Sequence, residues 1–398
     1  MKYKYAMLVG DGMADWPIEE LGNRTPLEYA STPNMDRVVS TGRTGLVSTV
    51  PEGFAPGSDV ANMSLMGYDP SAYYSGRAPI EAVSMGIPLE KGDVAFRCNL
   101  VTLGNGQMLD YSSGHIETDE ASELVSLLQK NLGSDTVRFY SGVGYRHVMV
   151  TRGIGGKLTC VPPHDITDKP YRDYLPDGEG RDFIVSVMDK AREILSDAKV
   201  NKERKMAGKN PATDIWLWGQ GPALSLPGLP ERYSLTGSVI SAVDLVRGLG
   251  KLAGLEIRLV QGATGYLGTN YAGKVTAACD AFERGEDFVY LHVEAPDETS
   301  HEGSLEKKIQ AIEEFDRNVV GEMLAYQQKR GDVRIIVLPD HETPVSLRTH
   351  SAGPVPWGAC GPEITADDAT AYNEKEAGNR KIFNGPSLFE AFIRGNLE

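Results

Sequence analysis

A chain of 398 residues is too long for one ordinary hydrophobic core, so about two domains are expected. Its 41% hydrophobic and 24% charged residues are those of a globular protein. A formal net charge of −15 without any Lys/Arg-rich run argues against nucleic-acid or anionic-membrane partners, which need a basic footprint.

In chain order, residues 3–10 (YKYAMLVG) form a short apolar run with β-favouring residues that stops at Asp11-Gly12. Ala6-Met7-Leu8-Val9 is too short for a signal-peptide core. Pro56-Gly57 makes a turn before Ser58, and residues 59–66 read as a helix. The Ser58 hydroxyl is therefore expected at or beside a helix N-terminus, where free amides and the helix dipole favour phosphate. From about 90 to 235 the pattern changes. Short strands such as 136–140 and 147–151 lie among Gly- and Pro-rich turns, with helices near 119–131 and 181–198 and an exposed polar connection over 200–212. A helix near 239–253 precedes a strand at 256–260, and 273–284 reads as another helix. Residues 287–296 (DFVYLHVEAP) and 333–339 (VRIIVLP) repeat the opening pattern and run into Asp297 and Asp340-His341. Between them, Ile309, Ile312, Val319, Val320, Met323 and Leu324 stand at helical spacing over 304–328. No apolar run approaches the roughly 18–20 residues of a membrane helix. Cys98, Cys160, Cys279 and Cys360 form no CxxC pair and read as free thiols, so a cytoplasmic setting is expected.

Strand–helix alternation predicts an α/β fold, a three-layer core with a mostly parallel sheet. That core is expected from residues 1–85 and 238–398, with 86–237 inserted as a smaller α+β domain.

Ligands of open α/β sheets bind at the carboxyl ends of strands. Three predicted strands run into Asp11, Asp297 and Asp340. His301 follows Asp297 by one helical turn, His341 adjoins Asp340, and His350 lies nine residues on; three of the seven histidines thus fall beside acidic turns. Taken singly, each has a plainer reading: Asp11-Gly12 as a turn, Asp297 or Ser58 as a helix cap, His350 as a solvated loop residue. Taken together they suit two cations. Carboxylates mixed with imidazoles favour Mn²⁺ or Zn²⁺ over the all-oxygen shells of Mg²⁺ or Ca²⁺. Ser58 adds a nucleophile, which needs a base or a metal to remove its proton. Gly268–Lys274 (GTNYAGK) resembles the start of a P-loop, but Val275 stands where Ser or Thr would hold magnesium.

These residues resemble the alkaline phosphatase superfamily and, more closely, the archaeal-type branch of cofactor-independent phosphoglycerate mutases. The resemblance is carried by VGDGMAD (9–15), PGSDVANMSLMGYDP (56–70), GRAPIEAVSMGI (76–87), PPHDIT (162–167), ATGYLGTNY (263–271), VEAPDETSHEG (293–303) and LPDHETPVSLRTHSAGPVP (338–356). It implies an alkaline-phosphatase-like core in which Asp11, Ser58, Asp340 and His341 hold one divalent metal and Asp297, His301 and His350 the other. Manganese is the first expectation, zinc or magnesium the alternatives. It also implies that Ser58 is phosphorylated, that the substrate is a small phosphorylated metabolite, and that no 2,3-bisphosphoglycerate is needed. Arg146, His115, His164 and Asp165 of the inserted domain, with Lys274 of the core, are the candidates for holding the substrate's anionic groups. A subgroup of this family is proposed to be homoserine kinases, and the same cage would serve that reaction or a phosphatase.

Overall fold

The N-terminal apolar run forms β1 (Lys4–Gly10), and Arg43–Ser48 forms β2. Five strands follow in the middle of the chain: β3 (Asp93–Gly104), β4 (Gln107–Asp110), β5 (Val137–Tyr140), β6 (Arg146–Arg152) and β7 (Asp214–Pro222). The last six are β8 (Gly237–Ile240), β9 (Glu256–Ile257), β10 (Phe288–Val293), β11 (Val333–Leu338), β12 (Val355–Cys360) and β13 (Ile382–Asn384). They come from a computed structural model that describes residues 3–397. The chain divides into one unit made from the residues up to Tyr74 and from Leu226 onward, and another from Ser75 to Ser225.

The first unit holds an eight-stranded sheet in the order β13-β2-β12-β11-β1-β10-β8-β9. Only β12 opposes its neighbours; the other pairings are parallel. All six residues of β10 and of β11 are buried, as expected of strands covered by helices on both faces. Each fully buried aliphatic side chain there contributes about 1.5–3 kcal/mol of transfer free energy. The decisive feature is order: β11, β1 and β10 are adjacent and parallel, so their carboxyl ends open side by side.

The second unit holds a five-stranded antiparallel sheet, with β3 paired to β4, β6 and β7 and β5 paired to β6. Helices Thr118–Leu132 and Arg181–Asp197 bury Leu124, Leu128, Ile184, Met188 and Leu195 in a core of its own with Trp216 and Leu217.

Five segments differ from the sequence reading. Helix Arg77–Ser84, expected in the core, belongs to the second unit, because Ala78 and Ala82 pack on Ala95, Val148 and Val150. Residues 226–237 belong to the first unit, where the Leu229 amide donates to the Ala253 carbonyl at 2.8 Å. The span 200–212 is largely exposed, as expected, but it is not all connection. It contains helix Lys199–Met206, because Asn201 donates to the carbonyls of Leu195 and Ala212, and buried Arg204 reaches Glu120 and the Ser113 carbonyl. The helix placed near 239–253 begins only at Asp244, since residues 237–240 pair with β10 as a strand, and the strand at 256–260 shrinks to Glu256–Ile257. Among the described residues no helix is long and apolar enough to cross a membrane.

Candidate active site

Asp11 leaves the end of β1 with its amide bonded to the Val293 carbonyl of β10, which fixes the turn in register with the neighbouring strand. Asp340 follows β11 and is held on both oxygens. Oδ1 accepts from the amides of Gly12 (3.2 Å) and His341 (3.0 Å), and Oδ2 accepts from Asn62 Nδ2 at 2.6 Å. Asn62 lies one turn after Ser58 on helix Ser58–Leu65, and also donates to the Ser58 carbonyl at 2.8 Å. Asn62 therefore ties the serine helix to the strand end. Ser58 is the first helical residue after Gly57, and its Oγ lies 3.0 Å from His341 Nε2. His341 Nε2 is also 3.5 Å from Asp11 Oδ1 and 3.4 Å from Asp340 Oδ2.

Beside this group, β10 runs into the short helix Ala295–His301, which puts Asp297 and His301 on one face at i and i+4. Asp297 Oδ2 lies 3.1 Å from His301 Nε2, and Oδ1 lies 3.5 Å from His350 Nε2. The two imidazole Nε2 atoms are 3.1 Å apart. Arg348, in the left-handed region at φ +56, turns its carbonyl to within 3.0 Å of His301 Nδ1. A carbonyl only accepts, so Nδ1 carries the hydrogen and a neutral His301 presents its Nε2 lone pair to Asp297 and His350.

Three overlapping sets of ligand atoms result: Asp297, His301 and His350; Asp11, Asp297 and His341; and Asp11, His292 and Asp340. Within each set the atoms lie within 4.8 Å of one another, close enough to share a cation. The donor chemistry fits one. Buried Asp11 Oδ1 has no hydrogen-bond partner, and around Asp297 acceptor atoms face one another. Only a proton or a metal ion reconciles that arrangement. The charges respond accordingly. Burial, with the adjacent Asp340 and Asp297 carboxylates, pushes the Asp11 carboxyl well above its usual range. At Asp297 burial pushes the same way, but hydrogen bonds from His301 and His350 prevail and hold it well below. His301 loses basicity by burial and gains more from Asp297, rising to about 9, whereas burial draws His341 down.

On the second unit, Arg77 Nε and Arg97 Nε each lie 2.9 Å from one oxygen of Glu81. Glu81 is pushed up by burial but held below its usual range by Arg97, Arg77 and Arg146. One carboxylate faces three guanidiniums, which leaves a positive surplus suited to an anion. Arg97 stacks over Trp218 at 4.2 Å, and His164 meets the same indole edge-on at 5.5 Å. Exposed Arg146 lies 5.7 Å over Tyr145, which also meets His115 at 6.4 Å and Tyr111 at 5.8 Å. Tyr111 in turn meets His164 at 6.1 Å, so the structure gathers Arg146, His115 and His164 on one aromatic surface. Asp165 lies 3.6 Å from His164 and is mostly exposed.

Lys274 departs from its expected place among substrate-binding groups. Its ammonium is buried and donates to the His292 carbonyl at 2.8 Å, so it braces β10; burial lowers it to about 8 against the pull of Glu294. The P-loop-like segment around it is a helix start, with Asn270 capping the Gly273 amide. The sequence reading passed over Arg97, Glu81, Trp218, Asn62, Thr343 and His292. His292 was the most findable, being an imidazole in an otherwise apolar strand, LHVEAPD. Its Nε2 is 3.1 Å from Asp11 Oδ2, and its Nδ1 is 3.3 Å from Ser241 Oγ.

Comparison with known proteins agrees with this geometry. Residues 40–201 match a family model described as 2,3-bisphosphoglycerate-independent phosphoglycerate mutase. Proteins with that name from Methanosarcina acetivorans (51% identical, 94% of each chain) and, as a probable member, from Geobacter sulfurreducens (51%; 94% of this chain and 95% of the relative) are similar over nearly the whole length. Among solved structures, a Pyrococcus horikoshii protein superposes with a TM-score of 0.82 at 28% identity, covering 100% of this chain and 99% of that one. The cofactor-independent phosphoglycerate mutase of Thermoplasma acidophilum gives 0.68 at 26%, with 99% and 100% covered. With half of its residues identical to such relatives across both units, the chain belongs to the family of 2,3-bisphosphoglycerate-independent phosphoglycerate mutases.

Proposed function

We propose that this chain interconverts 3-phosphoglycerate and 2-phosphoglycerate through a phosphoserine at Ser58. The observation that carries the reading is the Ser58 hydroxyl, 3.0 Å from His341 Nε2, which in turn lies beside Asp11 and Asp340, in a member of this family. Asp11, Ser58, Asp340 and His341 would hold one divalent cation and Asp297, His301 and His350 a second, manganese before zinc or magnesium. When bound, such ions supply the positive charge that acidifies a serine hydroxyl and steadies phosphoryl oxygens.

Ser58 Oγ gives up its proton and attacks phosphorus; the bond from phosphorus to the substrate's 3-oxygen breaks as the bond to Oγ forms, and the released 3-oxygen takes up a proton. The glycerate is retained and turns. Its 2-hydroxyl then attacks the phosphoserine, and the bond to Oγ breaks to restore Ser58. Asn62 keeps Ser58 in place throughout by fixing its helix to Asp340. Arg77, Arg97 and Arg146, with His115 and His164, bind the carboxylate and phosphate as bidentate or charge-assisted donors. Excluding water during the turn is what separates a mutase from a phosphatase.

The test is to incubate manganese-loaded protein with 3-phosphoglycerate, and separately with ATP and homoserine, and follow products by phosphorus NMR. The expected result is 2-phosphoglycerate in the first and no O-phosphohomoserine in the second. Ser58→Ala should take up no phosphate and turn over nothing; retained mutase activity would remove the serine from the mechanism.

A further inference from the structure

We infer that Thr343 is a positioning residue that couples the two halves of the candidate metal cage through a single hydroxyl. The inference rests on the two-cation reading above and concerns a residue to which that reading gives no part.

Thr343 is fully buried. Its Oγ1 lies 2.6 Å from Asp297 Oδ1 and 3.2 Å from His341 Nδ1. Of these two contacts the one to the carboxylate oxygen is shorter by 0.6 Å, and there the threonine hydroxyl donates. The single threonine hydrogen therefore goes to Asp297. Oγ1 is left to accept from His341, so Nδ1 carries the imidazole hydrogen and Nε2 keeps its lone pair. That lone pair is the one facing Ser58 Oγ, Asp11 and Asp340. One hydroxyl thus sets the tautomer of His341, a candidate ligand of one cation, and orients Asp297, a candidate ligand of the other. This is the part that outer-shell hydrogen bonds play in metal sites.

The surroundings hold the hydroxyl where it is. The Thr343 amide donates to the Ala14 carbonyl at 3.1 Å, and the Thr343 carbonyl accepts from the Lys308 ammonium at 2.9 Å. Gly12 lies against it so closely that a Cβ there would fall 2.5 Å from Oγ1. Valine matches threonine in shape but offers neither donor nor acceptor, and serine keeps the hydroxyl while losing the methyl.

The experiment titrates Mn²⁺ into metal-free wild type, Thr343→Val and Thr343→Ser by calorimetry, then records manganese EPR and kcat and KM for each loaded protein. Wild type should take up two ions. T343V should bind both about 10–100-fold more weakly, with an altered EPR spectrum and a fall in kcat at saturating metal. T343S should return affinity, spectrum and kcat to within a few-fold of wild type. Two tight ions and an unchanged spectrum in T343V would overturn the inference while leaving the two-cation reading intact. A loss in T343S as large as in T343V, or a T343V that does not fold beside a T343S that binds poorly, would also overturn it, by assigning the effect to packing. Wild type that binds no ions would sink the underlying reading instead.

Discussion

Gly12→Ala tests the site where backbone geometry and cage meet. Gly12 has φ +61, in the left-handed region, and a Cβ there would lie 2.5 Å from Thr343 Oγ1, 2.7 Å from Asp297 Oδ1 and 2.9 Å from Asp297 Cβ. The left-handed backbone costs an alanine about 1–2 kcal/mol. Overlap with two buried side chains in a packed region adds about 1–3 kcal/mol, because neither neighbour is a free chain end. The sum is about 2–5 kcal/mol, or roughly 7–14 °C in Tm near its centre at 2–4 °C per kcal/mol. Gly331→Ala is the control. Its φ is +74 and nothing lies within 4 Å of the added carbon, so only the backbone term of about 1–2 kcal/mol applies. Thermal unfolding of both metal-free variants, with Mn²⁺ titration by calorimetry, reads the difference. G12A should melt lower than G331A and lose affinity for at least one ion, whereas G331A should bind as wild type does. A G12A protein that matches G331A in both measurements would refute the reasoning.

Two further outcomes follow from buried charge. Lys308 donates to Asp15 Oδ2 (2.9 Å) and to the carbonyls of Ala14 and Thr343, with both partners of the ion pair out of solvent. Lys308→Met leaves the Asp15 carboxylate buried beside an apolar chain and should destabilise by about 3–5 kcal/mol in urea unfolding; a change below about 1 kcal/mol would show that Asp15 finds another partner. His301 in the metal-free protein is lowered by burial but raised further by Asp297, to about 9, so at pH 7.5 it carries a proton that a cation must displace. Metal uptake should release about one proton here and tighten about tenfold per pH unit up to pH 9. Titration heats should then vary with the ionisation enthalpy of the buffer; heats that do not vary would exclude the exchange. The sign for stability is opposite. Because the folded value exceeds the ordinary imidazole value of 6.5, this group's contribution to the metal-free fold is full below pH 6.5 and is lost as pH rises through about 9.

The amino-acid sequence determined the parts of this protein that depend on local pattern. Three apolar runs that lead to Asp11, Asp297 and Asp340 announce buried strands, although the second ends at Val293 and Asp297 lies in the helix that follows, and Pro56-Gly57 before Ser58 announces a helix start. His301 is legible because one helical turn separates it from Asp297. What tertiary structure alone decided is which strands are neighbours. The order β11-β1-β10 makes one site of residues more than 280 positions apart, and nothing in the local pattern specifies strand order. The same holds for groups whose importance lies in a contact. Thr343 and Asn62 look like ordinary polar residues until their hydrogen bonds to Asp297 and Asp340 are seen, and Lys274 looks like an available cation until its burial against His292 is seen. Periodicity reports the face of an element, whereas a hydrogen bond between distant elements exists only once packing has fixed distances to a few tenths of an ångström.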